Sequence, residues 1–211
     1  MKNGVWEIFP KQNDKYVATS KWLYKIKHAS NGSIYKYKEI FVARGFSKKE
    51  GINYEETFSP TTRYTTIRSL ISLAITMGWN IHQMDVKTIF LNGTIDEEVY
   101  IEQPLGFEVH SKENHVCRLK KELYCLKQAL RAWYARMDTY LQKIGFPRSF
   151  AAPNLYIKIV KDEPMIIFLY VDDLLIIGVE SCIQECKKQL ATKFNMKDLG
   201  LMHYYLGLEI W

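Results

Sequence analysis

Hydrophobic and polar positions change period several times along the chain, and each change predicts an element. "KWLYKIKHASNGSIYKYKEIFVARGF" predicts a β-hairpin, because two β-rich flanks meet at Asn31-Gly32, residues that tolerate positive φ in a tight turn. In "TTRYTTIRSLISLAITMG", Ile67, Leu70, Ile71, Ala74 and Met77 recur at helical spacing and Gly78 suits the stop. "NIHQMDVK" then alternates, so that Ile81, Gln83 and Asp85 share one side of a strand and His82, Met84 and Val86 the other. "VKTIFLNG" reads as a short helical turn, and "EEVYIEQP" and "HVCRLKK" as short strands. A second helix is predicted over "QALRAWYARMDTYLQKIG", with Trp133, Met137, Tyr140, Leu141 and Ile144 on one stripe. "NLYIKIV" and "MIIFLY" are strands joined by the turn-like "KDEP", and "DLLIIG" closes a further hairpin around "VDD". A third helix is expected over about 180–195, with Ile183, Cys186, Leu190 and Phe194 on one face, and "MHYYLGLEI" closes the chain as a strand. So many hairpins argue against a doubly wound parallel sheet. They favour an α+β layer structure, an antiparallel sheet backed by helices.

Composition narrows this picture only a little. The chain has 211 residues, enough for one large domain or slightly more. A formal net charge of +6 is compatible with a polyanionic partner, but its lysines and arginines are spread along the chain and form no tail. The 14 Tyr and 5 Trp can fill a core or stack on bases, and composition does not choose. No Cys pair has C-x-x-C spacing and the histidines complete no metal pattern, so free thiols in a reducing compartment are expected. The N-terminus lacks the apolar region of a signal peptide, and no run reaches the roughly 18–20 apolar residues of a membrane span. The reading is a soluble, intracellular protein.

Candidate chemistry enters with "MIIFLYVDDLLIIG", where Asp172 and Asp173 interrupt an apolar run. An unpaired buried carboxylate is expensive, and two ionised at close range need a counter-charge. A divalent cation supplies one, and Mg²⁺ prefers a few carboxylate oxygens together with waters and substrate phosphates. A third acid is then expected, and Asp85, on the alternating strand just before a turn, is the best placed. An ordinary Asp-rich β-turn remains the plain alternative.

Six blocks in order, from about Trp6 to Ile210, resemble the reverse transcriptases of copia-type LTR retrotransposons. They are "VARGFSKKEGINYEETFSP", "HQMDVKTIFLNG", "EEVYIEQPLGFEV", "CRLKKELYCLKQALRAWY", "FLYVDDLLIIG" and "MKDLGLMHYYLGLEI". The resemblance implies a polymerase palm with an attached β-rich fingers part and no thumb. A fingers-like segment over 1–80 and a palm over 81–211 are expected, with fingers segments interleaving at about 100–130. It implies RNA-directed DNA polymerase activity by two-metal nucleotidyl transfer to a primer 3′-OH, with Mg²⁺ or Mn²⁺, an RNA or DNA template, a primer and dNTPs. Asp85, Asp172 and Asp173 resemble the metal-binding catalytic aspartates. Phe90 resembles the steric gate against a ribose 2′-OH, Gln128 and Arg131 the segment packing on nucleotide and template, and Tyr170 the residue abutting the primer end. Lys36, Lys38 and Arg44 sit where the family has a basic strand near the triphosphate. For the residues alone, a core Phe90, a solvated helix N-terminus at Gln128 and Arg131, and a buried strand Tyr170 stay open. The family also implies a cytoplasmic, virus-like-particle setting with nuclear association as an alternative, and the rest of a polyprotein or a dimer partner.

The chain departs from the family pattern in places. Cys125 replaces a glycine and Leu130 a proline; Glu39 and Ile40 replace alanine and a basic residue; Ile89 replaces alanine. Together with an early end at "GLEIW", where the palm gives way to a thumb, these motivate a second expectation, an inactive relic that keeps the fold and weak nucleic-acid binding. A different two-metal enzyme on a palm-like fold, such as a cyclase, is a third, opposed by the primer- and template-handling blocks.

Overall fold

The computed structural model describes residues 4–28, 32–44, 64–87, 89, 95, 98–121, 123 and 129–210. It is mixed α+β, and the chain divides into two compact units: Met1–Phe58 with Phe90–Trp133, and Ser59–Ile89 with Tyr134–Trp211.

The first unit holds a four-stranded sheet in the order β1 (Trp6–Pro10), β7 (His115–Leu119), β6 (Tyr100–Ile101), β2 (Val17–Ala18), the last pair parallel. It also holds a long antiparallel hairpin of β3 (Ser20–His28) and β4 (Ile34–Ala43). Gly32, in the turn, has φ +81°, the conformation glycine permits without steric cost; Asn31 lies outside the described residues.

The second unit is built on an antiparallel sheet ordered β11 (Met196–Leu201), β5 (Asn80–Val86), β10 (Asp173–Gly178), β9 (Glu163–Tyr170), β8 (Leu155–Val160). Helix α1 (Tyr64–Met77) covers one face, where Ile67, Leu70 and Ala74 join Ile81, Leu175, Ile177, Ile166 and Phe168 in one core. The part of α2 (Ala129–Lys143) from Tyr134 onward, which belongs to this unit, and α3 (Glu180–Lys193) serve the opposite face. There Tyr156 of β8 donates to Asp138 of α2, and Lys187 of α3 reaches His82 of β5. Cover on both faces explains why β9 and β10 read as continuous apolar runs rather than alternating ones. Ile177 is 1% exposed in this core, and Ile177→Val should cost about 0.5–1.5 kcal/mol in a denaturant titration.

Three local readings change. Met77 is 54% exposed, so the buried stripe of α1 ends at Ala74. "MKDLGL", not predicted as an element, forms edge strand β11 with a bulge between Asp198 and Gly200. The closing segment is not one strand but a hairpin of β12 (Tyr204–Tyr205) and β13 (Leu208–Glu209), turned by Leu206 (φ +48°) and Gly207 (φ +84°). Positive φ at both loop residues is what a two-residue hairpin turn requires. The helical turn read in "VKTIFLNG" lies mostly outside the described residues. Cys117, Cys182 and Cys186 are free thiols.

Candidate active site

The site is assembled by register. On β10, Asp173 lies directly across from Asp85 on β5, and on its other side across from Tyr170 on β9. Residues opposite one another in an antiparallel ladder share a face, with Cβ atoms about 4.5–5.5 Å apart. Asp85, Asp173 and Tyr170 therefore form one row on the α1 side of the sheet. The next rows on the same face are Gln83–Leu175–Phe168 and then Ile81–Ile177–Ile166, so the carboxylates stand at the rim of a packed core. Asp172 is the second residue of the two-residue β9–β10 loop, exposed, and its carbonyl accepts the Val86 N–H at 2.9 Å, which ties the loop to the end of β5.

The loop is strained. Val171 has φ +54°, a conformation that a β-branched residue rarely adopts and that costs on the order of 1–3 kcal/mol. Strain of this kind persists where the surroundings over-determine it, here the tight closure of Tyr170 onto Asp173.

Asp173 is half-buried. Burial raises its carboxyl pKa; a 2.8 Å hydrogen bond from Gln83 Nε2 to Oδ1 works against that, and the neighbouring Asp172 and Asp85 charges raise it further. Gln83 is two residues before Asp85 on the same strand face, a partner that the alternation of "NIHQMDVK" placed but did not identify. Among the described residues no three His, Cys, Asp or Glu side chains close into a metal-ligand cluster. What the register brings together is an all-oxygen set, two carboxylates in line with the third on the adjoining loop, the donor type that hard divalent cations take.

Two neighbours were not legible beforehand. Lys197 of β11 lies across from Asp85 on its other side. Tyr205 is buried, packs edge-to-face on Tyr170 at 6.5 Å between ring centroids, and its hydroxyl has no hydrogen-bond partner among the described residues. Burial and the nearby Asp173 charge push the Tyr205 hydroxyl pKa upward, so it stays a protonated donor.

The other expected positions divide. Lys36 and Lys38 lie on β4, Arg44 is exposed just after it, and Arg131 is exposed in the first turn of α2; all four belong to the first unit, whereas the carboxylates and Tyr170 belong to the second. Phe90 and Gln128 lie outside the described residues.

A polar network lies on the reverse face of β5. His82 contacts Glu180 through Nε2 (2.9 Å), and Lys187 Nζ donates to His82 Nδ1 (2.5 Å) and to both oxygens of Asp198 (2.8 and 2.9 Å). Hydrogen bonds from Gln184, Asn80 and His82 pull the Glu180 carboxyl down to about 2. A depressed pKa adds stability that is present above the ordinary value of 4.5 and lost as pH falls towards 2. Glu180 is half exposed, so solvent screening keeps the effect small. Glu180→Gln should flatten the acid limb of a Tm-against-pH curve between those values.

Comparison with known proteins places the chain in a family. Residues 3–211 match the family model described as reverse transcriptase (RNA-dependent DNA polymerase). The chain is 40% identical over 211 residues to the retrovirus-related Pol polyprotein from transposon TNT 1-94 of Nicotiana tabacum, covering 99% of this chain and 16% of that polyprotein. It is 37% identical over 209 residues to the Pol polyprotein from transposon RE1 of Arabidopsis thaliana, covering 98% of this chain and 14% of that polyprotein. It is 42% identical over 128 residues to a putative transposon Ty5-1 protein of Saccharomyces cerevisiae, covering 60% of this chain and 42% of that protein. It thus spans a small part of the length of its polyprotein relatives. The chain belongs to the reverse transcriptase family, in the branch carried by the Pol polyproteins of copia-type transposons.

Proposed function

We propose that this chain carries the polymerase centre of a copia-type reverse transcriptase, extending a primer on an RNA or DNA template with dNTPs. The second unit is read as the palm and the first as fingers. The observation that carries the reading is the register pairing of Asp173 with Asp85, with Asp172 one residue away.

In this reading Asp85, Asp172 and Asp173 hold Mg²⁺ or Mn²⁺. When bound, such ions make the primer 3′-oxygen a better nucleophile and neutralise charge on the leaving pyrophosphate. The chain's own residues supply position. The ladder between β5 and β10 fixes the spacing of two carboxylates. Gln83 holds one oxygen of Asp173, leaving the other to face the cation. The Val86–Asp172 bond anchors the loop that presents Asp172. Tyr170, braced by Tyr205, offers a ring surface beside the carboxylates for the primer end. Phe90 is assigned to sugar discrimination, and Gln128 and Arg131 to nucleotide and template. The rest of a Pol polyprotein and a virus-like-particle setting are part of the same proposal.

The relic reading is favoured by one observation, the Cys125 and Leu130 substitutions in the nucleotide-facing block. Primer extension on poly(rA)/oligo(dT) with Mg²⁺ or Mn²⁺ separates the two. The chain should extend the primer and Asp85→Asn should not; no extension by a chain that melts cooperatively decides for the relic.

A further inference from the structure

On the α3 side of the second unit's sheet, away from the carboxylates, lies a cavity of about 180 Å³ lined by α3 and by the hairpin of β8 and β9. Its floor is apolar, with Phe146 and Met165 both buried. Two thiols also line it. Cys182 and Cys186 are four residues apart on α3 and so share a helix face. Cys186 is 3% exposed and free, and burial pushes its pKa up to about 12, so it stays a neutral thiol at neutral pH. Cys182 is half-buried in the first turn of α3, with the Ser181 hydroxyl 3.9 Å from its sulfur. A disulfide between the two is out of reach while α3 stays helical. Side chains four apart on a helix have Cβ atoms about 5–6 Å apart, whereas a disulfide needs about 3.5–4.5 Å. Cys182 is therefore a thiol that solvent reaches and that its neighbour cannot resolve.

Charge narrows what such a thiol takes. Lys158 and Lys161 line the same cavity. Lys158 Nζ is held in place by donating to the Ile144 carbonyl at 2.7 Å, and it stands 5.4 Å from the centre of the Phe146 ring. Among the described residues neither lysine forms an ion pair. Glu185 is the acid of the lining, and Gln189 donates to it at 3.2 Å. Two cations against one anion favour a carboxylate on the incoming molecule. The volume equals that of about six water molecules, room for one short arm of a ligand.

We propose that this cavity captures a small disulfide bearing carboxylates, which Lys158 and Lys161 hold while Cys182 Sγ joins it covalently. The Cys182 thiolate attacks one sulfur of the disulfide. One S–S bond forms and one breaks, so Cys182 is oxidised and the departing half is reduced. That half leaves as a thiolate and takes up the equivalent of the proton Cys182 gave to solvent. Cys186, protonated and too far to close a bond, leaves the adduct in place until an outside thiol reverses it. The site uses no residue assigned to polymerisation and does not rest on that reading.

The test is peptide mass mapping of the folded full chain after timed exposure to glutathione disulfide near pH 8, where cysteines carry an appreciable thiolate fraction. Cystamine, a cationic disulfide, is run beside it. Glutathione disulfide should modify Cys182 and spare the buried Cys117 and Cys186, and Cys182→Ser should remove the adduct. Lys161→Gln, at an exposed position, should slow this reaction about two- to fivefold at low salt, the range for one exposed ion pair, and should not slow the reaction with cystamine. Lys158→Gln should slow it by a similar factor. If Lys158→Gln melts lower, Glu185→Gln takes its place and should speed the reaction instead. Lys188→Gln removes an exposed charge of α3 outside the lining and should leave both rates unchanged.

The proposal is overturned if Cys182 of the folded chain stays unmodified, or if Lys161→Gln changes the two reactions alike. It is also overturned if Lys188→Gln slows the first as much as Lys161→Gln does. Labelling of Cys117 or Cys186 as fast as Cys182 would mean that opening of the fold governs the reaction, and that too overturns it. A chain without polymerase activity answers the test equally well.

Discussion

Asp173→Asn is expected to lower primer extension on the order of 10³-fold while leaving the protein at least as stable as before. The two halves of that result have one cause. Asp173 sits at the rim of the core, with Asp172 beside it and Asp85 across the ladder, and its pKa is raised. A raised carboxyl pKa contributes stability that is present below the ordinary value of 3.8 and lost as pH rises through the folded value. At neutral pH the ionised group therefore works against the fold. Asparagine removes the charge, keeps the shape, and keeps an oxygen for the Gln83 amide. Tm at pH 7 should rise, whereas Mn²⁺ binding followed by calorimetry should weaken sharply. A variant that loses activity together with several degrees of Tm would show instead that Asp173 is a structural residue.

Lys187→Met should cost roughly 3 kcal/mol, read from denaturant unfolding. Lys187 is 5% exposed and bonds His82 on β5 and Asp198 on β11 at once. Taking away one partner of a buried ion pair costs about 3–5 kcal/mol, because the charge left behind is uncompensated. The lower end applies since the Asp198 side chain stays half in water. Burial pushes the Asp198 carboxyl up, and Lys187 and the Gly200 N–H more than reverse it, leaving it below its usual value. The loss should be local first. Most of β11's side chains are exposed, so beyond its ladder to β5 this bridge is the main tie holding the edge. Hydrogen exchange should show the β11 amides losing protection ahead of β9 and β10. Adding Asp198→Asn to Lys187→Met should return part of the loss, whereas a fully additive pair would mean the two residues do not act together.

Legibility in the sequence followed the strength of the local signal. Asp172 and Asp173 were visible because charge interrupts "MIIFLY" and "DLLIIG", and Asp85 because "NIHQMDVK" alternates; the register then placed two of the three face to face. "MKDLGL" gave no signal, since its glycine and mixed charges break any alternation and its position is set by pairing with β5, far away in the chain. The turn at Leu206-Gly207 was hidden because leucine seldom takes positive φ. Each lysine of the hairpin could be read, but which of them share a face depends on pairing, and only the register supplied it. Gln83 and Tyr205 looked like ordinary strand residues; their roles come from what lies across the sheet or beneath it.

The two-part build of each unit has a kinetic consequence. Gln83 and Asp173, bonded in the site, are 90 residues apart in the chain. As a ribosome delivers the polypeptide, β5 emerges with Ile81, Met84 and Val86 and must wait for β10 before either edge is paired. Long-range pairing of this kind is slow, in the millisecond-to-second range, and leaves sticky intermediates. Nascent chains of this protein should therefore lean on chaperones until about residue 178 has cleared the exit tunnel, when β10 can close the sheet and the carboxylates first meet.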